Sequence, residues 1–497
     1  MGKPIIYQML PRLWGEGKFS SVDDRSLDYF RELGATHIWY TGIPRHSTGK
    51  PFVKGRPGSP YAVCDWFDTN PYLADNEDER MAELEDLFRR TREHGLKIVI
   101  DFIPNHTGRD YGRVRARKDI PYLGDGDDVT HHWIESNDYY YYPDEALKLP
   151  VRQGRYKEFP ARASGNSFAP APGAGDWYDT IRLNYCSWHT ATWDKMLEVL
   201  DFWAEKGVDA FRCDMVEMVP VEFFEWAIAE TKARHPGTVF IAEIYQKANY
   251  RRYLDAGFDS LYDKSGLYDI LRGITMDSVG IEPQAPFSGH SAAQASRHLY
   301  ELGSDAPRML NFLENHDEQR LASPYFALSP QNGFAALGAS LLSKTSPFML
   351  YFGQETGEGA PESADGRTSI FDAKPVKGLQ ELSSFARGKQ QLSAGKAAVL
   401  ERYRYLLSLA SEDVISKGVD WDLGYCNAAS EGFDRSRHMV FMRSYAGRSL
   451  LILCNFAATD ANVRLLIPEE AAAALGVSSG TVEISAPALD CKIVEYR

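Results

Sequence analysis

Short apolar, β-rich runs alternate with longer amphipathic stretches from the start of the chain to about residue 410. The strand-like runs end in polar residues. They are Ile5–Met9, His37–Tyr40, Lys97–Ile103, Ala210–Cys213, Val239–Ala242, Ser260–Tyr262, Met309–Leu313 and Phe348–Tyr351. Between them the apolar spacing turns helical. One helix is expected from near Asn76, with Glu79 three residues on as a capping-box signal, an apolar stripe at Met81, Leu84, Leu87 and Phe88, and Gly95 as its stop. Others are expected over Ser26–Leu33, Thr192–Lys206, Val221–His235, Ala292–Leu302, Asn332–Ser343 and Ala397–Leu409. Eight strands alternating with helices predict an α/β fold, a (β/α)8 TIM barrel, with a doubly wound sheet as the competing arrangement.

Two stretches break this rhythm. Asn105–Asp179 is too long for a βα loop. It carries the acidic run Asp125–Asp128, four tyrosines at Tyr139–Tyr142 and a Gly/Pro/Ala-rich segment ending at Asp176. It reads as a small irregular domain inserted after strand three. Beyond residue 411 the helical signal fades. Met439–Ser444, Ser449–Asn455, Ala461–Leu466 and Thr481–Ser485 read as short strands of a C-terminal antiparallel β-sandwich. The expected division is residues 1–104 and 180–410 for the barrel, 105–179 for the insertion and 411–497 for the sandwich.

Composition narrows the class of partner. The 497 residues hold 55 Lys and Arg against 69 Asp and Glu, a net charge of −14, so nucleic acid and polyanions are poor partners. Aromatic residues make up 12% of the chain; flat rings suit sugars, although most of them pack the core. No apolar run approaches the ~18 residues of a membrane helix. The opening MGKPIIYQMLPRLWG lacks the apolar core and cleavage site of a signal peptide. The six cysteines form no CxxC pair and none has a histidine at zinc spacing. They read as reduced thiols, and a cytoplasmic location is expected. The oligomeric state stays open.

In a barrel the active site lies at the C-terminal ends of the strands. Strand three ends in Asp101, followed by Asn105 and His106. Strand four brings Arg212 and Asp214, strand five Glu243, and strand seven Asn315, His316 and Asp317, while Tyr61 and Asp65 follow strand two. Any one of these is more often a helix cap or a packing residue. Several carboxylates, two histidines and an arginine at one barrel mouth are another matter, because buried like charges repel and need partners. Converging carboxylates without a phosphate loop or cysteine metal cluster suit glycoside hydrolysis. Arg212 and Asp214 share a strand face, so Arg212 is expected to hold Asp214 ionised. The apolar run Phe240–Ala242 before Glu243 is expected to raise its pKa, as a general acid needs.

The segments DFIPNH, GVDAFRCD, FIAEIY and FLENHD, in that order, resemble the four signature regions of the α-amylase family of glycoside hydrolases (family 13). SPYAVCDWFDTNP and GRTSIFD, at Gly366–Asp372, are similar to further segments of that family, and the likeness spans nearly the whole chain. It implies a retaining α-glucan hydrolase acting on α-1,4 bonds of starch or maltooligosaccharides. Asp214 would be the nucleophile, Glu243 the general acid/base and Asp317 the third carboxylate that grips sugar hydroxyls. Arg212 would sit beside the nucleophile, His106 and His316 would hydrogen-bond the sugar, Tyr61 would stack beneath it, and Asp101 would organise the site. The resemblance leaves open an α-glucosidase or neopullulanase-like hydrolase, a transglycosylase or isomerase, and a non-catalytic or transporter-associated homologue.

Departures lie around this core. Many members place an acidic calcium ligand where Arg182 stands, and often a histidine where Met218 stands. No cofactor is expected to be required, and calcium binding is left open at a depleted site. The insertion should form one wall of an open cleft, with Tyr139–Tyr142 touching substrate. Trp66, Trp133, Tyr140, Trp177 and Trp188 are further candidates for lining it.

Overall fold

A computed structural model describes residues 2–371 and 374–497. Eight parallel strands close into a barrel: Ile5–Met9, His37–Tyr40, Lys97–Phe102, Ala210–Cys213, Val239–Ala242, Ser260–Tyr262, Met309–Phe312 and Phe348–Tyr351. The first strand pairs with both the second and the eighth, which rules out the open doubly wound sheet. Strands three and seven each stop one residue before their apolar runs do.

Helices fill the outer ring where the apolar spacing placed them, with one change of capping. A short 3-10 turn over Glu77–Glu79 precedes the helix Arg80–Glu93. Glu79 makes no capping bond; Glu83 instead accepts from the backbone N–H groups of Asp75 and Asn76, both at 2.7 Å. The extra 3-10 turn shifts the helix start, so the carboxylate that reaches back comes one turn later.

The insertion leaves and rejoins the barrel at one point. His106–Gly108 pairs antiparallel with Thr180–Arg182, His106 opposite Arg182. Inside it, Arg109 is fully buried and pairs with Glu158 at 2.8 Å. Its acidic run is consumed internally. Asp125 pairs with Arg115, Asp127 accepts from the backbone of Asp138 and Tyr139 and from the Tyr141 hydroxyl, and Asp128 accepts from Thr130.

The C-terminal region is a four-stranded antiparallel sheet, in the order Val419–Asp422, His438–Tyr445, Arg448–Asn455, Cys491–Tyr496, with the pair Ala461–Ile467 and Gly480–Ala486 packed over it. Sequence pattern explains the layering. Ala461–Ile467 alternates buried and exposed residues, as a strand with one wet face must. His438–Tyr445 is buried almost throughout, because Val440 and Met442 face the sandwich core while Met439 and Phe441 face the barrel. The helix Phe334–Leu342 lies against this sheet at Gly338, where an added Cβ would sit 2.6 Å from Cys491 Sγ. Arg443, wholly buried, donates to the carbonyls of Ser343 at 3.0 Å and Gly418 at 2.8 Å and ties the two regions together.

Gly338→Ala should therefore destabilise the protein by roughly 1–3 kcal/mol through overpacking. Gly395→Ala lies in the helix Ala394–Ser411, where a Cβ meets nothing within 4 Å, and should stabilise by about 0.4–1 kcal/mol. Urea unfolding of both variants checks the pair; equal shifts of the same sign would contradict this packing.

Candidate active site

The strand registers place the polar residues at one mouth. Arg212 lies opposite Asp101 on strand three and Ile241 on strand five, so its side chain enters the barrel between the two acidic neighbours that follow. It is fully buried. Its Nη1 donates to Asp214 Oδ1 at 2.6 Å and lies 3.5 Å from Asp101 Oδ1. Its Nη2 is 2.7 Å from Glu243 Oε1, close enough for ion pairing but not aligned as a hydrogen bond. The rings of Trp39, Tyr61 and Tyr262 surround the guanidinium at 5.5–5.6 Å.

Above this cation opens a cavity of about 270 Å³. Tyr61, His106, Asp214, Glu243, His316 and Asp317 all line it, so six of the eight residues singled out from sequence share one wall space. Asp101 and Arg212 lie beneath. Asp101 accepts from Trp39 Nε1 at 3.0 Å and from the Tyr61 hydroxyl at 3.2 Å. His316 meets the Gln8 amide at Nδ1 (2.9 Å), and its Nε2 faces both the Tyr61 hydroxyl at 2.5 Å and Asp317 Oδ2 at 3.0 Å. The Asn315 side chain accepts from the backbone N–H of Asp317 and orients it.

One buried cation cannot neutralise three buried carboxylates, and the proton affinities follow. Burial raises Glu243, Arg212 opposes, and the charges of Asp214 and Asp317 raise it again, to about 7. Burial also raises Asp101 and Asp214 above the ordinary range, although Arg212 pulls both down. Arg212 does contact Asp214 and lowers its proton affinity, as the shared strand face predicts, but burial outweighs it, and Asp101 and Glu243 share the same cation. Burial would raise Asp317 too, yet His316 and Arg212 outweigh it and hold Asp317 at about 2, with its side chain 44% exposed to the cavity. Burial makes His316 harder to charge, but Asp317 reverses that and raises it. His106 is lowered to about 3 by burial and stands neutral beside Trp177, ring centroids 5.2 Å apart.

Sequence reasoning missed several residues at this mouth. Tyr245, two residues past Glu243, donates its hydroxyl to Glu243 Oε1 at 2.9 Å. Met215 carries a left-handed φ of 44° and donates its backbone N–H to Glu243 Oε2 at 2.8 Å. Glu217 accepts from the backbone N–H groups of Tyr245 and Gln246 and so fixes that loop. Lys54, Ser59, Trp177, Asp179, Thr180, Ile370 and Phe371 complete the lining. The i+2 spacing of Tyr245 from Glu243 was a readable signal; the strain at Met215 was not. Of GRTSIFD, Asp372 lies outside the described residues.

Other candidates went elsewhere. Asp65 is buried and accepts from Phe67, Ala116 and Tyr122, bracing the insertion. Trp66 is core, and Trp133 and Trp188 are exposed away from the cavity. Tyr139–Tyr142 do not line the cavity. Tyr139 bonds Thr107, and Tyr141 bonds Asp127, so the cluster is the insertion's own packing. The insertion reaches the cavity through His106, Trp177 and Asp179 instead.

The calcium position of the resembled family does not fit a metal here. Arg182 directs Nη1 to the carbonyl of Gly165 at 3.3 Å and Nη2 to that of Met218 at 3.4 Å, and Asn105 donates to the same Gly165 carbonyl at 2.9 Å. A cation among these carbonyls would meet a guanidinium. Among the described residues no group of three or more His, Cys, Asp or Glu is placed to hold a metal ion.

Acidic groups gathered around one arginine at the C-terminal mouth of a closed parallel barrel are the arrangement that acid–base chemistry at a barrel mouth needs. The chain matches the family described as "Alpha amylase, catalytic domain" over residues 15–369. The protein belongs to the α-amylase family of glycoside hydrolases. It is similar to an α-1,4-glucan:maltose-1-phosphate maltosyltransferase of Cereibacter sphaeroides, 26% identical over 298 residues, 54% of this chain and 38% of the relative. The chain thus spans about two fifths of that relative. In fold it is similar to a noncanonic maltogenic α-amylase, AmyB, of Thermotoga neapolitana, with TM-score 0.66, 18% identity and coverage of 99% and 96% of the two chains. It is also similar to AmyP in complex with maltose, with TM-score 0.66, 16% identity and coverage of 99% and 96%.

A carboxyl whose pKa rises from 4.5 in the unfolded chain to about 7 in the fold lends stability at low pH that is lost as pH climbs through about 7. Glu243→Gln removes that loss. Its Tm should exceed the native value at pH 8 by a few degrees, at roughly 1 °C per kcal/mol for a chain of 497 residues, and by less at pH 5. A difference independent of pH would contradict the raised pKa.

Proposed function

We propose that the protein is a retaining α-glucan hydrolase, α-amylase-like, cleaving α-1,4-glucosidic bonds of starch or maltooligosaccharides. The observation that carries this reading is one guanidinium fork bridging Asp214 and Glu243 at 2.6 and 2.7 Å. One fork holds two carboxylates only when both lie within reach of the same guanidinium, and this nearness supports the close pairing, about 5–5.5 Å, that a retaining glycosidase uses.

In this mechanism the Asp214 carboxylate attacks the anomeric carbon. The bond to the leaving oxygen breaks as Glu243 gives that oxygen its proton, leaving a glycosyl ester on Asp214. Glu243, now ionised, takes a proton from water, whose oxygen attacks the same carbon and frees Asp214. A pKa of about 7 lets Glu243 serve as acid and then as base near neutrality. Asp317, exposed to the cavity, takes sugar hydroxyls. Tyr61 stacks under the ring, His106 and His316 donate to it, and Asp101 with Arg212 holds the floor.

A transglycosylase reading uses the same intermediate with a sugar hydroxyl or phosphate in place of water, and the maltosyltransferase relative favours it. Products from maltoheptaose, with and without added glucose, separate the two. Six unpaired cysteines accord with a reducing compartment, and no helix among the described residues is long and apolar enough to cross a membrane.

Asp214→Asn should lower turnover of maltoheptaose by several orders of magnitude, and the first product of the native enzyme should be the α-anomer by NMR; a β-anomer would reject retention. Glu243→Gln should spare substrates with good leaving groups more than glucans. Tyr245→Phe removes a donor that stabilises the Glu243 carboxylate, so the acid's pKa should rise and the alkaline limb of kcat/KM should move to higher pH. A limb that stays fixed or falls would show that Tyr245 does not act on the acid. We also propose that no metal is required: a chelator should change neither activity nor Tm, whereas a loss restored by calcium would overturn the reading of Arg182.

A further inference from the structure

The catalytic cavity, about 270 Å³, is smaller than the roughly 300–1,000 Å³ of sites that enclose drug-sized ligands. A long glucan cannot lie wholly inside it, so what stands at each end decides which chains enter. Glu243 gives its proton to the leaving oxygen, so the departing part of the chain lies on the strand-five side, past Tyr245. The sugar that Asp214 captures points the other way. In the closed order of eight strands, strand one stands opposite strand five, flanked by strands two and eight. The loops that follow strands two and eight meet on that side. A Cβ on Gly55 would lie 2.0 Å from the Phe371 carbonyl oxygen, so the two backbones touch. Phe371 and Lys54, the neighbour of Gly55, both line the cavity.

Both loops are anchored. Phe52 is fully buried in a small core with Leu147, Tyr156 and Ala161 of the insertion, and Lys54 Nζ donates to the Asp176 carbonyl at 3.0 Å. On the strand-eight side, Arg320 is fully buried and paired with Glu314 at 2.8 Å. It donates its backbone N–H to the Gly366 carbonyl at 2.8 Å and its Nε to Thr368 Oγ1 at 2.7 Å. Arg12, just past strand one, donates to the Ile370 carbonyl. We infer that the cavity is blind at this end, in place of the open cleft expected from the sequence, and that the enzyme takes glucan chains by their non-reducing ends instead of cutting inside them. Lys54 and Asp179, 3.8 Å apart and both in the lining, supply a donor and an acceptor for the 4-hydroxyl that is free on a terminal sugar and bonded onward on an internal one. This inference rests on the glucan reading above and narrows it to exo action on chain ends.

The test gives the native full-length chain two modified maltoheptaoses and follows their conversion by chromatography. One is reduced at its reducing end, and the other carries a 4,6-acetal on its non-reducing terminal sugar. The reduced substrate should be converted, and the acetal substrate at least tenfold more slowly. A smaller difference overturns the blind end and leaves the hydrolase reading intact, because an enzyme that cuts internal bonds accepts both. Conversion of neither overturns the glucan reading and this inference with it. Gly55→Ala then tests the wall itself. Gly55 is exposed on its loop, and the added Cβ must part it from the Phe371 carbonyl. The rate on the acetal substrate relative to the reduced one should rise several-fold. A ratio that stays at the native value in the folded variant shows that this contact does not bar the chain and overturns the inference.

Discussion

A single buried positive charge organises this molecule's mouth. Arg212 has no solvent, three aromatic rings around it and three carboxylates within reach. An isolated guanidinium in such a place would be prohibitively costly, so the acids must be there; but three acids exceed one cation, so they cannot all be ionised at neutral pH. The surplus appears as a raised proton affinity, and Glu243 carries the part that reaches about 7. Asp317 escapes the competition because His316, 3.0 Å away, lowers its proton affinity and its side chain opens to the cavity. The division of labour among the acidic groups is thus electrostatic before it is chemical.

The barrel exists to hold that arrangement. Arg212, Asp101 and the residues that follow strands four and five are set by backbone register, which a parallel ladder fixes to the residue. Loops then adjust the atoms. Met215 adopts a left-handed backbone to aim its N–H at Glu243, and Glu217 pins the loop that carries Tyr245. Such strain, of order 1–3 kcal/mol, persists only where surrounding structure over-determines it. Arg182 plays a related part at the edge, bridging the Gly165 and Met218 carbonyls with a charge carried by the chain itself.

The eight barrel strands were legible because each is a short apolar run, and the polar residues that close or follow strands three, four, five and seven gather at one mouth. The C-terminal sheet was legible in part. Its middle strands stood out because they are buried on both faces, while Val419–Asp422 and Cys491–Tyr496, polar and half exposed at the edges, did not. The insertion resisted for a physical reason. With little regular structure, its tyrosines and aspartates carry no periodicity that separates inward from outward, so Tyr139–Tyr142 looked like a rim and turned out to be packing. Likewise the electrostatic balance at Asp214 depends on how many acids share Arg212, a number that no single strand reveals.

The central claim is that Glu243, crowded against Arg212 by neighbouring acids, keeps its proton close to neutral pH. The direct measurement is a carbon-13 NMR titration of carboxyl groups in glutamate-labelled protein, with Glu243→Gln identifying the resonance. The account predicts that the signal lost in the variant titrates near pH 7 in the native protein. A Glu243 resonance that titrates in the ordinary carboxylate range, near 4.5, would contradict it.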